Sequence, residues 1–295
     1  MSPRAERPAM SVGGTRGCYR LPSPSSSTTR SKRVNKPKHE RTRDIQKSLE
    51  TRERFPISHF DSRKYIQHNV GLGDGLGPIL ALMDSLPADR TMVKALRSFE
   101  DGDYSVAHFD YVLGDWGPMV GFEVHRWEDE RIVEHWDNLQ STPATVNPSG
   151  RSMTDGPTEV ADLKRTDANK ALVRDFIQTV LIGGDVDRIP DYHTGDRLIQ
   201  HDPLFGDGTA ALAARVLPPR HGGVGPVYER LHLLLGQGNM VLAVSEGTMI
   251  DAGAARQPAA FYDLYRIEGG AIGEHWDVVE ITPPRDTWKN DNGKF

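Results

Sequence analysis

A single cysteine, Cys18, stands in 295 residues, so no intrachain disulfide can form and no zinc site built on cysteines is available. No run approaches the ~18 uninterrupted apolar residues that a spanning helix needs, so no membrane segment is expected. The glycine string GLGDGLG (71–77) fails G-x-G-x-x-G in every register, HGGVG (221–225) has no G-x-S-x-G elbow to serve, and H-E-x-x-H and H-x-H spacings are missing. No dinucleotide, hydrolase nucleophile or metal site is therefore expected, and no cofactor. The single cysteine fits a reducing compartment, and a cytoplasmic location is the expectation.

What is present divides unevenly. The net charge of −5 hides eleven Lys or Arg in residues 1–43 against only Glu6 and Glu40. The other 25 basic and 39 acidic residues leave the body at −14. No nucleic-acid partner is expected for such a body, because duplex binding needs a basic face to neutralise phosphates. Residues 1–43 are rich in Arg, Ser and Pro and read as a disordered basic tail: an inert extension from an upstream start, a targeting segment or a basic arm with a binding role. A second stretch rich in Pro, Gly, Ser and Thr, residues 143–164, reads as a linker.

Self-similarity is the strongest signal. YIQHN (65–69) and GDG (73–75) recur as LIQHD (198–202) and GDG (206–208) at an offset of 133. The segment 121–143, with EHWD and a closing Thr-Pro, recurs at an offset of 140. Two copies of one domain follow, 44–142 and 165–295, with about seven extra residues in loops of the second. In the second copy Val173, Phe176, Ile177, Val180 and Leu181 recur at helical spacing before Gly183-Gly184. A short second helix near Asp187–Tyr192 and a longer helical region around Val227–Leu235 are expected. Strand-like runs follow at Val241–Ile250, Ala259–Ile267 and Ile272–Ile281, with Gly269-Gly270 as the hairpin turn. Helices followed by an antiparallel meander make an α+β fold.

In an extended strand alternate residues share a face, so His135 projects with Asp137, and His275 with Asp277. A hairpin turning at Asp129-Glu130 sets Val124 opposite His135 and Phe122 opposite Asp137; about Gly269-Gly270, Leu264 faces His275 and Tyr262 faces Asp277. These four are the expected lining of two apolar cavities, joined by His108 and Glu246 from the first meander strand. A buried His and carboxylate suit proton transfer, while a mutually hydrogen-bonded structural pair is the alternative. His68 and His201, each after Gln and before Asn or Asp, are further candidates for the cavity.

The helical first part, the QHN segment, the meander and the terminal hairpin ending EHWD together resemble the SnoaL-like branch of the nuclear transport factor 2-like superfamily. YIQHN and EHWD in particular are similar to SnoaL-like aldol-condensation-catalysing enzymes. The resemblance covers nearly all of 44–295 as two tandem copies. It implies two cone-shaped (cystatin-like) α+β barrels, each a curved antiparallel sheet packed on N-terminal helices around a ligand cavity, and two copies packed through their sheets as an intramolecular pseudo-dimer, with further homo-oligomerisation left open. Asp137 and Asp277 match the terminal-strand position where epoxide-hydrolase-like members place a catalytic Asp. His108 matches a middle-strand polar position of the cyclases, where the second copy has Val244. The implied activity is cofactor-independent acid–base catalysis, of the aldol-condensation, cyclisation or isomerisation type, on a small apolar carbonyl compound. Asp137, His135 and His68 would carry it in one pocket, and Asp277, His275 and His201 in the other. A non-catalytic small-ligand-binding protein of the same fold is the alternative.

Overall fold

The computed structural model describes residues 36–295, so the expectations for Cys18 and most of the basic tail lie outside the described residues. Residues 37–295 form one compact unit. Its first half runs α1 (Lys38–Thr51), a 3-10 turn (Phe55–His59), β1 (Ile66–Gln67), α2 (Leu76–Ser85), then β2 (Thr91–Asp101), β3 (Tyr104–Leu113), β4 (Pro118–Glu128) and β5 (Arg131–Ser141). The second half repeats the order with α3 (Thr166–Phe176), which continues through a π-helical turn (Ile177–Ile182), a 3-10 turn (Val186–Asp191), β6 (Ile199–Gln200), α4 (Thr209–Arg220), β7 (Gly225–Gln237), β8 (Met240–Ile250), β9 (Arg256–Glu268) and β10 (Ala271–Ile281). The class is α+β.

Each half contributes a five-stranded sheet, ordered β1-β5-β4-β3-β2 and β6-β10-β9-β8-β7. The long strands pair antiparallel, and the two-residue strands β1 and β6 add parallel to the sheet edge. One face of each sheet carries its own helices. In the second half Val173, Phe176, Ile177 and Val180 pack against Val241, Ala243, Phe261 and Tyr265. The other faces meet each other: Phe122, Val124 and Trp136 share a core with Leu242, Tyr262, Leu264 and Trp276. Buried apolar area of this kind is the main favourable term in folding, and here it joins the halves directly.

Two expectations are corrected. Val227–Leu235 lies in a strand, β7; bulges between Tyr228 and Arg230 and between Leu231 and Leu233 break the alternation and leave a spacing that mimics a helix. The helix of this region comes earlier, as α4. The first helix also begins at Lys38, inside the segment read as tail, because Arg41 and Thr42 are needed in the interior. The Arg41 guanidinium lies 4.4 Å over the Trp127 ring and pairs with Glu130 at 2.6 Å.

The segment read as a linker is docked. Asn147 Nδ2 donates to the carbonyls of Gln200, Asp202 and Phe205, and Arg151 pairs with Asp207 at 2.8 Å. The C-terminal residues do the same to the first half: Asn290 Nδ2 donates to the carbonyls of Asn69 and Leu72, and Lys294 Nζ to that of Asp137. Asn147, Gly150 and Arg151 match Asn290, Gly293 and Lys294 at an offset of 143. Each half thus sends a matching arm across the other's β1 or β6 loop. Among the described residues no helix is long and apolar enough to cross a membrane.

Candidate functional site

A bulge in each terminal strand decides which side chains share a face. Near the turn, Trp127 opposes Ile132 as expected, but Arg126 opposes Glu134, so Val133 is an extra residue and the register shifts by one. His135 therefore lies opposite His125, and Asp137 opposite Glu123. In the second half Gly273 is the extra residue, setting His275 against Tyr265 and Asp277 against Asp263. The helix-facing side of the first sheet thus presents Glu123, His125, His135 and Asp137 together.

The shift moves the expected lining elsewhere. Phe122, Val124, Tyr262 and Leu264 are on the opposite faces, in the core between the sheets. His108 is there too, opposite Phe122 and stacked on it at 4.3 Å, with Nδ1 accepting from Arg97 Nη1 at 3.1 Å. Burial holds its pKa well below the ordinary histidine value. Glu246 is partly exposed beside His232, 3.2 Å away. His68 and His201 do not enter the cavities either, because Gln67 pairs in register with His135 and Gln200 with His275, so the next residue points to the other face. His68 stacks on Trp136 and bonds Glu134 at 3.0 Å; His201 stacks on Trp276 and bonds Glu274 at 2.9 Å. Their neighbours Gln67, Asn69, Gln200 and Asp202 take the inward positions.

The first half encloses a cavity of about 260 Å³ between its sheet and α1 and α2. Its walls are mostly apolar, with Ile45, Phe60, Ile79 and Leu82 among them, and a polar group lies on the sheet side. Gln67 Oε1 accepts the Asn69 backbone N–H at 2.8 Å, which fixes it as the acceptor for His135 Nδ1–H at 2.9 Å. His135 Nε2 then meets Glu123 Oε2 at 2.7 Å, while Tyr111 donates to Glu123 Oε1 at 2.9 Å. Burial opposes charge on both partners. At His135 the Glu123 carboxylate outweighs burial and the pKa is raised, and at Glu123 burial prevails and the pKa is raised as well.

Two polar atoms beside this pair are left over. Asn69 Nδ2 donates to Asp137 Oδ2 at 2.7 Å, but Asp137 Oδ1 has no hydrogen-bond partner among the described residues; Lys294 Nζ is 3.8 Å away. His125 Nδ1 lies 3.1 Å from Thr42 Oγ1, and its Nε2 is also unpartnered. Trp127 Nε1 can only donate, to Ser105 Oγ at 2.7 Å, so the Ser105 hydroxyl can donate to Thr42 at 2.8 Å and the Thr42 hydroxyl to His125 Nδ1. That ordering leaves the proton of a neutral imidazole on Nε2. Burial keeps His125 neutral, its pKa well below the ordinary value.

The second half is built on the same plan, with an arginine across its cavity. At the position of Leu82 it has Arg215, 133 residues later on α4. Arg215 Nη2 donates to Asp277 Oδ2 at 2.6 Å, Nε lies 2.9 Å from Asp202 Oδ2, and Nη1 donates to the Tyr228 hydroxyl at 3.1 Å. Burial opposes its charge, but Tyr228, Asp202 and Asp277 outweigh it and hold the guanidinium charged. Beside His275 only about 10 Å³ remains, while a hollow of about 280 Å³ on the other side of Arg215 is lined by Asp202, Arg215 and Asp277 together with Leu204, Phe205 and Met249. His275 keeps its Gln200 and Asp263 bonds at 2.8 and 2.9 Å, and burial lowers its pKa. Burial and the neighbouring Asp202 push Asp277 well above the carboxylate range. Of the residues sequence reasoning missed, Arg215 had one signal: it lies on the apolar side of a helix, three residues after Leu212.

No family model and no curated protein matches the chain. Solved structures similar to it include a nuclear transport factor 2-like protein from Burkholderia xenovorans LB400, 20% identical over 39% of this chain and 91% of that one, TM-score 0.32. An LEH-like epoxide hydrolase from M. tuberculosis is 21% identical over 39% of this chain and 84% of that one, TM-score 0.32. A SnoaL-like polyketide cyclase from Agrobacterium tumefaciens str. C58 is 11% identical over 38% of this chain and 91% of that one, TM-score 0.31. These neighbours bear the SnoaL-like and nuclear transport factor 2-like names that the repeated strings resemble.

Proposed function

We propose that the chain is a tandem duplication of one SnoaL-like, nuclear transport factor 2-like unit, folded as an intramolecular pseudo-dimer, whose first half catalyses proton transfer on a small, largely apolar carbonyl compound. The reaction class is aldol-type condensation, cyclisation or a related isomerisation. Identical strand orders, the shared core between the sheets and the exchanged arms support the duplication and the pseudo-dimer. The observation that carries the activity is a pair of buried atoms without hydrogen-bond partners among the described residues, Asp137 Oδ1 and His125 Nε2, on two residues that line one apolar cavity. Buried polar groups nearly always have partners, and a substrate supplies what these lack.

In this reading the substrate's carbonyl oxygen sits against His125 Nε2–H and its α-carbon against Asp137. Asp137 Oδ1 takes the α-proton, and the N–H stabilises the enolate oxygen in a water-poor site, where such a donor acts most strongly. Asn69 holds the other carboxylate oxygen, and the hydrogen-bonded His135–Glu123 pair fixes the polar wall. The second half has Tyr265 in place of His125 and Arg215 across its cavity, so it serves as a structural partner.

The test is turnover of a panel of β-dicarbonyl and polyketide-like compounds by the wild type and by Asp137→Asn, which keeps the size and the Asn69 contact. A positioned base contributes ~10²–10⁴-fold, so the variant should lose at least about 100-fold in kcat. Equal rates would remove Asp137 from the mechanism. Tight binding of panel members without turnover by the wild type would replace catalysis with ligand carriage.

A further inference from the structure

We propose that Glu123, His125 and His135 form a site for one first-row divalent cation, of the Zn²⁺ or Fe²⁺ class, at the sheet-side wall of the first-half cavity. The inference deepens the carbonyl reading and rests on it only for the ion's role, since binding is a separate property. One donor atom each from Glu123, His125 and His135, on the adjacent strands β4 and β5, lies within 4.8 Å of the others, and the two imidazoles stack with their centroids 4.8 Å apart. Two imidazoles and one carboxylate on one side leave further coordination positions open. Here all three residues line the cavity.

The groups behind the three ligands are those a metal site needs. His135 Nδ1–H is committed to Gln67 Oε1, which turns Nε2 inward, and Glu123 Oε1 is held by the Tyr111 hydroxyl. Such bonds behind a ligand fix its tautomer and orientation. His125 Nδ1 meets the Thr42 hydroxyl, whose bond to Ser105 can run in either direction. Turning both hydroxyls lets Thr42 accept from Nδ1–H and frees the Nε2 lone pair. With the ion bound, it takes the place at His125 Nε2 that the substrate's carbonyl oxygen has in the metal-free reading. Ligand atoms on a tetrahedral ion with ~2.1 Å bonds stand about 3.4 Å apart, so binding draws the three donors together from their present spacing.

Charge points the same way. Glu123 and Asp137 are neighbouring buried carboxylates on one face. A dication beside neutral imidazoles would balance them, lowering the cost of burying both charges. It would also take over from His125 Nε2–H the polarisation of a carbonyl oxygen. The second half is a built-in control: Asp263 and His275 occupy two of the positions, but Tyr265 replaces the second histidine. One ion per chain is expected.

The experiment is titration of the chelator-treated full chain with Co²⁺, followed by visible absorption and calorimetry, for the wild type, His125→Tyr and Glu123→Gln. His125→Tyr copies the second half, and Glu123→Gln is nearly isosteric, so one remains informative if the other misfolds; circular dichroism reports folding. The wild type should bind one Co²⁺ with visible d–d bands, and each folded variant should bind at least tenfold more weakly. Absence of bands in the wild type, or equal affinity in the folded variants, would overturn the site. Turnover by the metal-free protein without Co²⁺ binding would remove only this inference. Co²⁺ binding without turnover of any panel compound would sustain it and remove the carbonyl reading.

Discussion

Replacing Arg215 by Leu gives the second half the residue the first half has at Leu82, and the consequence can be worked from the contacts. The Arg215 side chain is 2% exposed and engages Asp277 at 2.6 Å and Asp202 at 2.9 Å. Removing one partner of such a pair strands the others, at ~3–5 kcal/mol. Leucine restores some apolar contact, so a net loss of about 3 kcal/mol is expected near pH 8. In a unit of this size that lowers Tm by roughly 6–12 °C.

The loss should depend on pH, and its sign is fixed by Asp277. Burial and Asp202 already raise its folded pKa, while Arg215 works to lower it. Without Arg215 the folded pKa rises further. A carboxyl whose folded pKa exceeds its unfolded value contributes stability that is fully present below the unfolded pKa, ~3.9, and lost as pH climbs through the folded value. The deficit of Arg215→Leu should therefore be smallest at low pH, where the carboxyl is protonated in both folded proteins, and grow once the pH passes the wild-type folded value. Urea unfolding of the wild type, Arg215→Leu and Arg215→Leu/Asp277→Asn at pH 4.5, 6 and 8 measures it, and the double variant should recover part of the loss at pH 8. A deficit below about 0.5 kcal/mol at pH 8, or one constant across pH, would refute the reasoning; either would contradict the ~3–5 kcal/mol scale of a broken buried pair.

Three further outcomes follow from the same contacts. Leu82→Arg should carry a guanidinium into the first cavity toward Asp137 and abolish binding of apolar ketones, read by competition with a fluorescent probe; unchanged affinity would mean that the cavity is not the ligand site. Asn138 Nδ2 donates to the Ala260 and Val278 carbonyls across the junction at 3.0 and 2.8 Å, so Asn138→Ala should cost ~1–3 kcal/mol in urea unfolding; no loss would show that these bonds do not help hold the halves. Lys294 bonds the Asp137 carbonyl and Glu280 with its side chain 2% exposed. Lys294→Ala should destabilise by ~1–3 kcal/mol, and faster proteolysis of the C-terminal arm would report its release.

Much of the architecture was legible because it follows from local pattern. The α+β order, α3, the hairpins and the placing of His135 with Asp137 all come from periodicity, glycine pairs and the two-residue repeat of a strand. Side-chain partners across strands were not, because one inserted residue reverses the face. Gly273 carried a hint, since a glycine inside a strand often marks a bulge, whereas Val133 looks like any strand residue. Without the bulges, Glu123 and His125 appeared to face away from the site they complete. The roles of Gln67 and Asn69 over His68 depend on a two-residue parallel pairing with β5, which has no sequence signature of its own. The exchanged arms were written in the repeat of Asn147, Gly150 and Arg151 as Asn290, Gly293 and Lys294, but their Pro, Gly and Ser setting reads as linker composition.

Proton exchange at the α-carbon of a small cyclic ketone in D2O, followed by NMR with the wild type and with Asp137→Asn, tests the central claim most directly. It needs no knowledge of the natural substrate, only enolisation in the first cavity. The wild type should exchange α-protons well above buffer, and Asp137→Asn should lose at least about 100-fold of that rate while remaining folded. Exchange by the wild type no faster than buffer, or equal exchange by the two proteins, would contradict the account.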